Sequence, residues 1–139
     1  MRVAGVLVAL AVTMLTGGSA DGEHEIIYRY TVLGYVKDAK GRPLAGQVVN
    51  LVRDKTGLPY TTETDADGLY VLVMRLGDES VGETLTLKVG NAQTRVTARF
   101  DPKNQDEERG TRVDLEGARW LDRAAWFRST LSRMLAPAR

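Results

Sequence analysis

Between Ile26 and Leu115 no segment keeps a helical period for the length of a helix. Short runs rich in β-branched and aromatic residues alternate instead with turn residues. This punctuation limits the chain more than any other feature. The spacing predicts strands over 26–36, 47–52, 60–64, 69–75, 84–89 and 94–100, with a short last one over 111–115. Leu85, Leu87 and Val89 alternate with Thr84, Thr86 and Lys88, the period of a half-buried strand. Gly41 and Pro43 end one turn, Gly57 and Pro59 the next, and Gly68 a third, residues that suit positive φ or a preset φ. About seven short strands with turns this frequent predict an all-β sandwich. A parallel βαβ sheet is not expected, because no helix-length periodic segment lies between the strands.

The N-terminus carries a different signal. Met1-Arg2 is a short positive start, and Val3 to Leu15 holds no charge. A bilayer-spanning helix needs about 20 apolar residues, so this run suits a signal peptide better than an anchor. Gly18 and Ala20 supply the small residues that signal peptidase requires. The expected signal peptide is residues 1–20, with cleavage after Ala20, and the destination is periplasmic or extracellular. The remainder is one domain's worth of chain and large enough for a core of its own. The chain has no cysteine, which excludes disulfides, thiolate metal sites and cysteine nucleophiles. Its net charge of +1 creates no strong field toward nucleic acid.

Gly34, Val36, Asp38, Gly41, Pro43, Leu44, Gly46 and Val49 fill the pattern Gly-x-Val-x-Asp-x-x-Gly-x-Pro-Leu-x-Gly-x-x-Val. Further on, Thr62, Thr64, Asp65, Gly68 and Tyr70 fill Thr-x-Thr-Asp-x-x-Gly-x-Tyr. On these two motifs the chain resembles the carboxypeptidase regulatory-like domains, also called transthyretin-like or prealbumin-like. The resemblance runs from about Val32 to Phe100. It implies a seven-stranded Greek-key sandwich and leaves function open, since such domains serve as structural, adhesion and assembly modules and as appendages to enzymes. The residues themselves place Val36, Leu44, Leu51 and either Val48 or Val49 in the core. Asp65 and Asp67 are expected to fold their carboxylates back onto backbone amides, and Tyr70 to pack inward.

The chemistry-bearing residues are few. His24 is the single histidine and lies close behind the expected cleavage site. Related sandwiches include iron dioxygenases, which need several His and Tyr ligands, and a purine-pathway hydrolase that ends in Tyr-Arg-Gly-Ser; neither set is here. Ser19, Ser80, Ser129 and Ser132 lack a nucleophile-elbow setting. Asp65-Ala66-Asp67-Gly68 has too few oxygens for an EF-type calcium loop and reads as a turn. No catalytic residue, cofactor or metal is expected. Tyr28 and Tyr30 share one face of the first strand and Tyr35 the other. A carbohydrate platform would use such aromatics, but core packing accounts for them as well.

The charge pattern changes after residue 100. Asp101, Asp106, Glu107, Glu108, Asp114 and Glu116 make residues 101–117 a charged, mostly acidic linker. Residues 118–136 then fit an amphipathic helix, ended by Pro137. At 100° per residue Trp120, Ala124, Phe127, Leu131, Met134 and Leu135 form one apolar arc, flanked by Arg123 and Arg128, with Trp126 outside it. The helix could cover its own sandwich, lie in a membrane interface or insert in a partner's groove. The expected organisation is therefore a signal peptide, a sandwich over 21–100, a linker and a helix. The expected role is a non-catalytic binding or assembly module in the cell envelope that meets an unidentified envelope protein or the membrane surface through its apolar arc. The alternative is a membrane-peripheral stabiliser held by the same helix, and a carbohydrate-binding module is more remote.

Overall fold

The computed structural model describes residues 27–136, so the expected signal peptide, His24 and Pro137 lie outside the described residues. Eight strands form two four-stranded sheets. They are β1 (Ile27–Lys37), β2 (Val48–Arg53), β3 (Leu58–Glu63), β4 (Leu69–Gly77), β5 (Thr84–Val89), β6 (Ala92–Thr97), β7 (Arg109–Glu116) and β8 (Arg119–Asp122). One short helix, α1 (Phe127–Leu135), follows. The first sheet has the order β4-β1-β7-β8 and the second β3-β2-β5-β6. Every pairing is antiparallel except β1 with β7, which is parallel.

The core lies between the sheets. Tyr30, Val32, Val36, Tyr70, Leu72, Met74, Leu76, Val113 and Leu115 come from the first sheet. Val49, Leu51, Leu85, Leu87, Val89 and Val96 come from the second. Between the two candidates on β2, Val49 is buried while Val48 is 50% exposed, as the two-residue period requires. Tyr70 packs inward as expected, and its hydroxyl donates to the Val113 carbonyl at 2.6 Å.

The two sequence motifs meet in space. The Asp65 carboxylate accepts from the amides of Asp67 and Leu69 at 2.9 and 3.0 Å, as expected of a turn; the Asp67 carboxylate takes no such part among the hydrogen bonds formed. Gly68 has φ +79°, and a Cβ there would stand 2.5 Å from the Val36 carbonyl oxygen and 3.3 Å from Pro43. Asp38 builds a matching turn by accepting from the amides of Lys40 and Arg42. Thr64 Oγ1 donates to the Leu44 carbonyl and accepts from the Gln47 amide, tying the end of β3 to the loop that leads into β2.

The β1–β7 ladder breaks for two residues without losing register, between Leu33–Arg112 and Val36–Leu115. A Cβ on Gly34 would lie 1.8 Å from the Val113 oxygen, so only glycine lets the strands approach there. Side chains satisfy the backbone groups that the break releases. Tyr70 donates to the Val113 carbonyl, and Asp114 Oδ1 accepts from the Tyr35 amide at 2.9 Å.

Two expectations about the chain after residue 100 need correction. The sandwich does not end there: β7 sits inside the first sheet between β1 and β8, so the linker shrinks to the stretch before Arg109. The last strand expected over 111–115 lies within it. The helix expected over 118–136 begins only at Phe127. Gly117, at φ +65°, turns β7 back into β8, and a 3-10 turn at Ala124–Trp126 leads into α1. A two-residue hairpin with glycine fits residues 117–118, and Trp120 gains more by packing against the inter-sheet core than by lying on a helix surface.

Candidate functional site

The outer face of the first sheet is where the C-terminal segment docks. On β7 the period-2 alternation sends Thr111, Val113 and Leu115 to the core. Gly110, Arg112, Asp114 and Glu116 point the other way, yet Asp114 is 1% exposed. On β1, Thr31 and Leu33 are buried outside the inter-sheet core as well. A layer made by Arg123, the 3-10 turn and α1 covers this face.

Asp114 is the centre of that layer. Arg112 Nε and Nη2 donate to its two carboxylate oxygens at 3.1 and 2.8 Å, and Arg123 Nη1 donates to Oδ2. Burial pushes the carboxyl pKa up, but Arg112, the Tyr35 amide and Arg123 together outweigh burial and hold it below the usual carboxylate range. Arg112 also donates through Nη1 to Thr130 Oγ1 at 3.0 Å, and Thr130 Oγ1 donates to the Trp126 carbonyl at 2.7 Å. The Arg112 guanidinium lies 4.9 Å from the Tyr35 ring centre and 5.4 Å from that of Trp126. Arg123 lies 5.2 Å from the Trp126 ring centre on the same cluster. One carboxylate thus orients two arginines, and those arginines hold the start of α1.

Phe127 is the apolar anchor. It is 3% exposed, and a Cβ on Gly110 would come within 2.5 Å of its ring, so this glycine makes the seat. Phe127, Thr130, Leu131 and Met134 recur at helical spacing, the first two buried and the last two half-buried.

The expected contact arc is therefore divided. Trp120 is a β8 residue packed against the core, and Ala124 lies exposed in the 3-10 turn. Leu135 is 70% exposed, and Trp126, which the helical wheel placed outside the arc, is 52% exposed. Leu131 and Leu135 border a shallow groove of about 270 Å³, with Glu107, Glu108, Arg128 and Ser132 on its rim. Of the flanking arginines, Arg123 is engaged by Asp114, and Arg128 pairs with Glu107 at 2.7 Å.

The tyrosines of β1 form no platform. Tyr30 is in the core, Tyr28 faces the Arg109 guanidinium at 4.2 Å, and Tyr35 faces Arg112. Arg109 is itself buried, held between the Tyr28 and Phe100 rings and donating to Asp78 at 2.9 Å. Among the described residues no three His, Asp or Glu side chains gather as metal ligands. Nothing in the linear pattern marked the Arg112–Asp114 pair beyond two charges two residues apart, a spacing that shares one strand face.

No protein-family model matches the chain, and no curated protein matches it. Among solved structures it is similar to the dioxygenase domain of a dioxygenase carbohydrate-binding protein fusion from the cellulolytic bacterium Streptomyces sp. SirexAA-E. The identity is 20% and the TM-score 0.44, over 68% of this chain and 80% of that one. At that distance the likeness carries neither fold detail nor chemistry across.

Proposed function

We propose that this chain is an exported, non-catalytic β-sandwich that acts as a binding or assembly module in the cell envelope. In this reading β1 to β7 are the seven strands of a Greek-key, prealbumin-like core. β8 and α1 are a C-terminal addition that carries the contact surface. The supporting observation is the division of labour along the C-terminal segment. Phe127 and the Asp114 cluster hold the segment on its own sheet, while Trp126 and Leu135 stay 52% and 70% exposed on it. Large apolar side chains on a rigid base are what a protein partner buries at the centre of an interface. A lipid surface would instead draw on Arg123, Arg128 and Arg133, and Asp114 and Glu107 already engage the first two. Among the described residues no helix is long and apolar enough to cross a membrane.

The test is site-specific photo-crosslinking in cells, with the probe at Trp126 or Leu135 and a control probe at Thr61 on the outer face of the second sheet. A discrete adduct from the first two positions and none from Thr61 is expected, and N-terminal sequencing of the recovered protein should begin at Asp21. Adducts at all three positions, or at none, overturn the contact surface. Retention of the intact protein on anionic vesicles, lost at high salt, would put a membrane in place of the partner.

A further inference from the structure

A second site lies in the cleft between the two sheets, bordered by the 3-10 turn that leads into α1 and not lined by the exposed Trp126 or Leu135. β6 is the free edge of the second sheet and β8 the free edge of the first. Between them, where the sheets do not close, lies a cleft of about 380 Å³. Its floor is apolar, formed by Val96, Val113 and Trp120, and its rim carries Arg95, Arg99 and Asp122. Volumes of this order accommodate small ligands.

Tyr30 lines the cleft. It is 1% exposed; the Arg99 backbone amide approaches its hydroxyl oxygen, and the hydroxyl proton has no acceptor. Tyr70, the other large buried tyrosine, shows how this fold satisfies such a group, by donation to a backbone carbonyl. A buried hydroxyl whose proton has no acceptor costs stability unless a group in the cleft accepts it. Burial pushes the Tyr30 phenol up, with the Arg99 backbone amide and then the Arg99 charge opposing, so the hydroxyl keeps its proton at neutral pH. Arg95 and Arg99 form no ion pair among the described residues, whereas Arg53, Arg109, Arg112 and Arg123 all do. Two guanidiniums against the single Asp122 carboxylate leave the rim positive.

We propose that this cleft binds an α-carboxylate next to an apolar side chain, presented by a free amino acid or by a peptide C-terminus. Arg99 and Arg95 supply the charge, and the Tyr30 O–H donates to one carboxylate oxygen. The apolar side chain rests on Val96, Val113 and Trp120. Asp122 is placed to receive an ammonium group, which only the free amino acid carries.

The experiment is an NMR amide titration of the mature protein with leucine, N-acetyl-leucine, N-acetyl-glycyl-leucine and N-acetyl-leucinamide. A carboxylate ligand is expected to shift the Trp120 indole N–H and the Thr94–Thr97 amides saturably, leaving Asn50 and Thr61 on the outer face unmoved. N-acetyl-leucinamide should bind at least tenfold more weakly, and Arg99→Gln should weaken the carboxylates by a similar factor at unchanged Tm. Leucine binding tighter than the acetylated ligands, with the gain lost in Asp122→Asn, assigns the site to free amino acids. Equal or tighter binding of N-acetyl-glycyl-leucine assigns it to chain ends. Tyr30→Phe should weaken the carboxylate ligands several-fold while changing the affinity for N-acetyl-leucinamide less, because it removes the donor to the carboxylate oxygen. Equal binding of the amide, shifts that do not saturate, or carboxylate binding unchanged in Tyr30→Phe overturns the proposal. None of these outcomes depends on Trp126 or Leu135.

Discussion

Asp114 is a carboxylate on the outward side of a strand that has been sealed from water, and everything around it answers to its charge. Leaving a buried carboxylate alone would raise its pKa and eject its proton-free form. Arg112, Arg123 and the Tyr35 amide reverse that, so the folded protein holds the proton less tightly than the unfolded chain does. A depressed folded pKa contributes stability above the usual carboxylate range and loses it as pH falls through and below that range. Asp114→Asn keeps the shape but leaves two guanidiniums facing each other over a neutral amide. Breaking a buried ion pair from one side costs about 3–5 kcal/mol, and partial exposure of Arg123 places this change near the lower end. Urea denaturation at pH 7 should show a loss of about 3 kcal/mol, shrinking as pH falls through and below the usual carboxylate range.

At the scale of elements, α1 is nine residues long, too short to be stable alone, and owes its place to the sheet. The contacts predict sharply unequal costs along it. Phe127→Ala empties the seat over Gly110 and should cost about 3 kcal/mol, the range for a buried Phe. Leu135→Asp changes a residue that is mostly in water and should stay within about 0.5 kcal/mol of wild type. Thermal melts of the two variants check this contrast. A helix detached from its sheet would give two small effects instead. Ending the chain after Gly117 would remove β8 and Trp120 together with the helix, so that truncation should unfold part of the core rather than release a tail.

Across the whole molecule, the end of β2 is held to the crossover that enters β5. Arg53 donates through Nε and Nη2 to the two Glu83 oxygens at 2.7 and 2.6 Å, and through Nη2 to Ser80 at 3.1 Å. The fork from Arg53 holds the Glu83 carboxyl down to about 2 against the opposing effect of burial. Its contribution is present above about pH 4.3, the ordinary Glu value, and disappears as pH falls to about 2. The two side chains are only 19% and 11% exposed, so screening is partial and Glu83→Gln should cost about 2 kcal/mol at pH 7, the range for a hydrogen bond to a charged group. The difference between variant and wild type should close as pH falls from about 4.3 to about 2, measured by denaturant titration at each pH. A gap that persists at the acid end would mean that Glu83 acts through packing and not through charge.

How much of this could be read without coordinates follows from the range of each interaction. The strands and turns up to residue 100 were legible because their causes are local. Alternation such as Leu85, Leu87 and Val89 needs only neighbours, and Asp65 to Gly68 closes a turn on its own backbone. The two motifs could be recognised, but that Gly68 packs on Val36 and Pro43 could not, because the contact joins residues far apart in the chain. After residue 100 the local signals were ambiguous. Trp120, Ala124 and Phe127 fit a helical period, while Gly117 and Trp120 fit a hairpin, and only the free edge of β7 and the open end of the core decide between them. The parallel pairing of β1 with β7, the sealing of Asp114 and the buried hydroxyl of Tyr30 lie beyond any pattern. The sequence by itself determined an all-β chain with its turns in place. The tertiary structure alone decided which polar groups are cut off from water, because that depends on what distant segments lay across them.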